Sequence, residues 1–269
     1  MELSGTFTPL GCKECREGVG LDINFTMAFQ PIVDVRNKAI FGYEALVRGL
    51  AGEGAGAILS QVNDRNRYPF DQACRVKAID LATSLGLQGM LSINFLPNAV
   101  YKPETCIRAT LQAANEKGFP VERIMFEVTE GEQITDLAHL RGIFEEYKRR
   151  GFVTAFDDFG AGYSGLNLLA DFQPDIIKLD MALTRNIDKD RVRRAIVSGI
   201  LTVCEELAIR VIAEGVETRE ECMTLYDEGV QLFQGYLFAR PGFETLPPIT
   251  DDIWKLVTPR RESDRRRRR

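Results

Sequence analysis

Short apolar runs alternate along this chain with stretches whose apolar positions recur three and four residues apart. The runs predict strands, and the three-and-four spacing predicts helices that bury one face. Phe25–Val33 and Ala39–Val47 read as two strands joined by the polar turn Asp34–Lys38, an antiparallel hairpin. The Gly-rich stretch Ala51–Gly56 is a connector, and two helical patterns follow to about Leu85. From there strand and helix take turns. Strands are expected at Met90–Phe95, Arg123–Val128, Phe152–Asp157, Asp175–Asp180, Arg210–Glu214 and Val230–Gln234. Helices are expected at Pro103–Lys117, Thr135–Arg150, Lys189–Leu207 and Thr218–Glu228, with a short one before Asp175. In Thr135–Arg150, Leu137, Leu140, Ile143, Phe144 and Tyr147 fall on one face. Eight strands with helices between the later ones predict an α/β fold whose mainly parallel sheet closes into a barrel. The opening hairpin requires one strand to run against the rest.

The polar residues that interrupt the apolar runs matter more than the runs. Glu44 lies in the second strand, Asn94 near the end of the third and Glu127 in the fourth. The fifth ends in Asp157 and Asp158, the sixth carries Lys178 and Asp180, the seventh ends in Glu214 and the eighth in Gln234. Taken alone, Asp157-Asp158 also fits a helix N-cap in a solvated turn. Seven strands presenting a charged or amide group at similar positions are hard to explain as structure, because burying unpaired charge costs several kcal/mol as an order of magnitude. In a barrel the strand ends converge on one face, where catalysis takes place. The set is rich in oxygen and contains neither histidine nor cysteine, which favours hard cations over zinc. More acids than one cation needs point to a two-metal site suited to in-line hydrolysis of a phosphate ester. Lys178, the one cation of the set, would orient the attacking water or offset phosphate charge.

Composition narrows the class. At 269 residues the chain is long enough for one large barrel, and 45% hydrophobic with 27% charged residues is ordinary for a globular protein. The formal net charge is −5, and Arg265–Arg269 contribute +5 to it, leaving −10 on the remainder. The body therefore lacks a broad footprint for nucleic acid. No apolar run is long enough to span a membrane, and the start has no basic-then-apolar signal pattern. Six cysteines in such a chain suit a reducing compartment, and the expected localisation is cytoplasmic. Cys74, Cys106, Cys204 and Cys222 lie in helical patterns and are expected to be buried. Residues 1–24 read as a flexible leader, and its Cys12-Lys13-Glu14-Cys15 has no second pair to complete a zinc site. His139, the only histidine, is assigned to packing or surface. The basic tail 259–269 is expected to be disordered.

The ordered set of motifs resembles the EAL-domain phosphodiesterases of bacterial cyclic-di-GMP signalling. It comprises Phe29-Gln30-Pro31-Ile32-Val33, Gly42-Tyr43-Glu44-Ala45-Leu46-Val47-Arg48 and Glu127-Val128-Thr129-Glu130. Asp157-Asp158-Phe159-Gly160-Ala161-Gly162-Tyr163-Ser164, Lys178-Leu179-Asp180, Ala213-Glu214-Gly215-Val216-Glu217 and Gln234-Gly235-Tyr236 through Arg240-Pro241 follow in family order. The resemblance implies a modified TIM (β/α)8 barrel with an antiparallel first strand, over about 25–250. It implies hydrolysis of cyclic-di-GMP to linear 5′-pGpG with two Mg2+ or Mn2+ ions per active site. Glu44, Asn94, Glu127 and Asp157 would hold the first metal. Asp157 would bridge to the second, helped by Asp158 and by Glu214, which is metal ligand or general base. Lys178 would contact the attacking water, Glu217 would support the site, and Gln234 would fix water or substrate. Gln30, Leu46, Arg48 and Asp180 would contact the nucleotide, and Glu130 would brace the loop after Asp158. The family also implies a homodimer and a sensory partner that these residues do not identify. The alternative is a non-catalytic cyclic-di-GMP receptor or interaction module. Ile93-Asn94-Phe95-Leu96-Pro97 departs from the many relatives with a smaller residue and a serine after the asparagine. In this it is similar to EAL domains attached to blue-light flavin sensors.

Overall fold

The computed structural model describes residues 21–100, 102–129, 137–162 and 165–258. The expectations for residues 1–20, including Cys12 and Cys15, for Glu130, and for the tail 259–269 lie outside the described residues.

The strands are β1 Thr26–Asp34, β2 Ala39–Arg48, β3 Met90–Asn94, β4 Ile124–Thr129, β5 Val153–Phe159, β6 Ile176–Leu179, β7 Arg210–Ala213, β8 Leu232–Gln234 and β9 Gly242–Phe243. β2 through β8 are hydrogen-bonded in sequence order and all parallel. β1 runs antiparallel to both β2 and β8 and so closes an eight-stranded barrel. The three-residue β8 covers only the end of β1, and the two-residue β9 pairs Ala28 and Phe29 on the same edge. This is the modified barrel with a reversed first strand that the sequence predicts.

Side chains along a strand alternate between two faces. The alternation stacks the barrel interior in layers. Ile32, Met125, Ala155, Ile176, Ile212 and Leu232 pack into one apolar layer inside the barrel. Two residues further along each parallel strand stand Glu127, Asp157, Lys178, Glu214 and Gln234. On the reversed β1 the equivalent step runs backwards, to Gln30. The intervening Phe126, Phe156, Ile177, Ala213 and Phe233 join a separate, larger core shared with the helices. An apolar floor thus lies one step beneath a polar layer and shields it from water on that side.

Cap chemistry sets where several helices begin. Asp190 accepts from Val192 N and Arg193 N to start helix Arg191–Glu206, and Thr218 with Glu221 forms a capping box on helix Arg219–Glu228. The helix expected at Pro103–Lys117 is two pieces, Pro103–Cys106 and Arg108–Lys117, meeting at Ile107. β9 and helix Asp251–Leu256 give no periodic signal long enough to foresee. Cys74, Cys106, Cys204 and Cys222 are buried free thiols, as expected. His139 Nε2 lies 2.6 Å from the Val100 carbonyl oxygen and takes no part in the polar layer. Among the described residues no helix is long and apolar enough to cross a membrane.

Candidate metal centre

The polar layer collects around one buried ammonium. Lys178 Nζ lies 2.8 Å from Glu127 Oε2, 2.8 Å from Glu214 Oε1, 3.0 Å from Asp157 Oδ1 and 3.4 Å from Glu44 Oε2. Its side chain is 1% exposed, and the four carboxylates range from 0% to 16%. Burial works against the lysine's charge, but Asp157, Glu127, Glu214 and Glu44 outweigh it and hold its pKa well above the ordinary lysine value. Four carboxylates against one ammonium leave a formal excess of three negative charges in a nearly dry pocket, and Asp158 adds a fourth.

Such an excess must be relieved by protons or by cations. The protonation tendencies register the strain. Burial, with Glu44 and Asp157 as like-charged neighbours, pushes Glu127 up to about 8 against the pull of Lys178. Burial likewise drives Glu214 well above the usual carboxylate range. Asp158 is pushed up to about 6 by burial, Asp157 and Asp180.

The carboxylates form two sets that share a member. Oxygens of Glu44, Glu127 and Asp157 lie within 4.8 Å of one another, and so do those of Asp157, Asp158 and Glu214. Adjacent residues in a regular strand point to opposite faces, so Asp157 and Asp158 could not both join one site. The backbone resolves the conflict. β5 does not end at the acids, as the sequence predicts, but continues through them to Phe159. Its register against β6 shifts between Phe156 and Phe159, and Asp158 takes a left-handed φ of 53°. This bulge turns the second carboxylate back toward the first, a common device beside active sites.

The remaining predicted residues surround this centre. Asn94 Nδ2 donates to Glu44 Oε1 at 2.8 Å, which fixes the amide and frees its oxygen for another partner. Gln234 Nε2 donates to Glu44 Oε2 at 2.7 Å and lies 3.3 Å from Gln30 Oε1. Gln30 in turn reaches the Ala239 carbonyl at 3.2 Å. Glu44 sits in mid-strand rather than at a strand end, because β2 continues to Arg48 beside the reversed β1. Gly235 lets the chain turn sharply after Gln234, since a Cβ there would lie 2.0 Å from the Val216 carbonyl oxygen.

Above the acids opens a cleft of about 240 Å³, lined in part by Gln30, Glu44, Asp158, Asp180, Glu214, Glu217 and Gln234. Asp180 caps the short helix Met181–Thr184 by accepting from Ala182 N at 2.8 Å. Glu217 faces the cleft but is held in a two-pronged ion pair by Arg185, at 2.6 and 2.8 Å. Leu46 and Arg48 are half-buried on β2 beyond Glu44, and Arg48 Nη1 donates to the Val47 carbonyl at 2.7 Å.

Glu127 Oε1 and Gln234 Oε1 are buried without a hydrogen-bond partner. Uncompensated oxygens at the focus of excess negative charge fit a divalent cation with hard-oxygen preference. The sequence does not disclose the outer support of this layer, a buried cluster of Asp71, Gln72, Arg75 and Tyr147. Charged residues spaced one helical turn apart ordinarily read as a solvated face, and only tertiary contact distinguishes these.

The EAL domain profile matches residues 15–241. The blue light- and temperature-regulated antirepressor BluF of Escherichia coli K12 is 35% identical over 228 residues, 84% of this chain and 57% of BluF. The cyclic di-GMP phosphodiesterase PdeR of the same organism is 35% identical over 150 residues, 56% of this chain and 22% of PdeR. The chain thus spans little more than half of BluF and about a fifth of PdeR. A crystal structure of a standalone versatile EAL protein from Vibrio cholerae O395, in its c-di-GMP bound form, shares 58% identity and a TM-score of 0.85. That match covers 87% of this chain and 99% of the other.

Proposed function

This chain belongs to the EAL domain family, and from that premise we propose that it hydrolyses cyclic-di-GMP to linear 5′-pGpG by in-line attack of water on one phosphodiester bond. The observation that carries this reading is the shared carboxylate. Asp157 belongs to both acidic sets, as a bridge between two adjacent cations would. Glu44, Asn94, Glu127 and Asp157 would hold one Mg2+ or Mn2+, and Asp157, Asp158 and Glu214 the second. When bound, the cations supply a nucleophile at neutral pH and neutralise charge on the phosphate.

The chain's own groups have distinct tasks. Lys178 Nζ, anchored by the surrounding carboxylates, is placed to donate to the attacking water and aim it at phosphorus. Glu214 serves the second cation or takes the water's proton, and its raised proton affinity suits the latter. As the new P–O bond forms, the bond from phosphorus to the 3′ oxygen breaks, and that oxygen leaves with a proton. Gln234 and Gln30 form a hydrogen-bonded wall beside Glu44 that positions water or substrate. Leu46, Arg48 and Asp180 contact the nucleotide, and Glu217 supports the site from the cleft wall.

Helix Arg191–Glu206 exposes Val192, Ile196 and Val203 on one stripe with Gly199, at helical spacing. A homodimer would cover this stripe with a second copy of the chain. Free thiols at Cys74, Cys106, Cys204 and Cys222 are in keeping with a cytoplasmic setting.

The second reading, a non-catalytic cyclic-di-GMP receptor, draws on the antirepressor BluF among the relatives. Chromatography of cyclic-di-GMP after incubation with the purified protein and Mg2+ or Mn2+ separates the two. Conversion to pGpG, lost in Glu44→Gln and Asp157→Asn, supports the phosphodiesterase. Nucleotide that is bound but recovered intact supports the receptor.

A further inference from the structure

A second charged cluster lies on the outer side of the barrel, between β3, β4 and two helices. Helix Arg67–Ser84 carries Asp71 and Arg75, whose side chains are 1% and 0% exposed and paired at 2.8 Å. Arg75 Nη1 donates to the Tyr147 hydroxyl at 2.7 Å. Its guanidinium lies 4.9 Å from the Phe126 ring centroid, 5.3 Å from that of Phe95 and 5.6 Å from that of Tyr147. Gln72 Nε2 adds a hydrogen bond to Asp71 Oδ2 at 3.1 Å.

An ion pair this deep is an inefficient way to stabilise a fold. Removing two charges from water costs nearly as much as their attraction returns, and an apolar filling is often as stable or more so. Its position suggests what it contributes. Asp71 Oδ1 accepts from the backbone N–H of Leu96 at 2.9 Å, two residues after Asn94. The next N–H back, that of Phe95, donates to the Glu127 carbonyl at 3.0 Å. The rings against Arg75 include Phe95 and Phe126, the immediate neighbours of Asn94 and Glu127. The cluster therefore grips the chain from outside at the two points where β3 and β4 present oxygens inward.

We propose that Asp71, held in place by Arg75, is a positioning residue that fixes the backbone after Asn94 and so aims Asn94 and Glu127 at the first cation. This rests on the assignment of Asn94 and Glu127 as cation ligands. Asp71 touches neither cation nor substrate. Its influence passes through the Leu96 N–H and the β3–β4 backbone, as outer partners of metal ligands commonly act.

The test is a Mn2+ titration of the full chain after EDTA treatment, by calorimetry and electron paramagnetic resonance, in the absence of nucleotide. Asp71→Ala should weaken one of two Mn2+ sites by ~10- to 100-fold, the usual range for outer-partner loss. The other site, built on Asp158 and Glu214, should stay within about threefold. Asp71→Asn keeps an acceptor for the Leu96 N–H and should hold both sites within about threefold, a rescue that general destabilisation would not produce. If Asp71→Ala leaves Arg75 unpaired and does not fold, the double variant Asp71→Ala/Arg75→Met removes both charges and should show the same selective loss. A folded Asp71→Ala or Asp71→Ala/Arg75→Met protein that binds two Mn2+ with wild-type affinity would overturn the proposal. So would equal weakening of both sites, or a wild-type protein that binds no Mn2+. Wild-type protein that binds two Mn2+ but leaves cyclic-di-GMP intact would defeat the phosphodiesterase reading alone.

Discussion

Replacing Lys178 with methionine isolates the electrostatics of the centre. The substitution keeps a linear apolar stem and deletes the ammonium that lies within 3.4 Å of four carboxylates. Removing one partner of a buried ion pair costs ~3–5 kcal/mol, because the remaining charge has no counter-ion. For a domain of this size ~1 kcal/mol moves Tm by ~2–4 °C, so the EDTA-treated variant at pH 8 should melt ~6–20 °C below EDTA-treated wild type. Two rescues follow from the same cause. Glu127 has a folded value of about 8, raised chiefly by burial from 4.5. The folded protein keeps a proton there that the unfolded chain has released. Stability from this group therefore falls as pH rises from about 4.5 to about 8, and removing Lys178 enlarges the effect. Lowering the pH from 8 to 5.5 should recover much of the lost Tm. Millimolar Mn2+ should also recover it, and should raise the variant's Tm more than that of wild type, since the variant lacks any resident cation. Differential scanning fluorimetry across pH and metal concentration reads all three effects. A Lys178→Met protein that melts within about 2 °C of wild type at pH 8 without metal, or gains no more from Mn2+ than wild type does, would refute this account of how the acids are held together.

Three further outcomes are expected. Mn2+ affinity should tighten as pH rises from 6 to 8, because Asp158 and Glu127, raised to about 6 and about 8, must lose protons to bind; calorimetry in buffers of different ionisation heat should register proton release, and a pH-independent affinity would count against these ligands. Calcium should occupy the same oxygens but support little turnover, since its longer, looser coordination misplaces the water; equal rates with Ca2+ and Mg2+ would disprove this. Ile196→Glu should convert a dimer to monomer on multi-angle light scattering while leaving Tm within a few degrees, and a mass unchanged from wild type would remove this helix face as the interface.

The alternation of apolar runs with helical patterns, and a polar residue repeated at corresponding points of successive strands, determined the barrel and the polar layer inside it. That was possible because strand periodicity is local. A residue two steps beyond an apolar floor position must face the same interior, whatever the rest of the chain does. Glu127 over Met125, Asp157 over Ala155 and Lys178 over Ile176 are legible in this way. The tertiary structure decided what depends on departures from local regularity or on distant contact. The bulge that brings Asp157 and Asp158 into one site needs a left-handed residue where no glycine marks it. The pairing of Glu44 with Gln30, Asn94 and Gln234 depends on how the barrel closes around the reversed first strand. Asp71 and Arg75 have the spacing of an exposed helical ion pair, and only the packing of β3, β4 and Tyr147 over them makes them buried. Periodicity tells which side of a strand or helix a residue occupies, but what covers that side is a property of the whole fold.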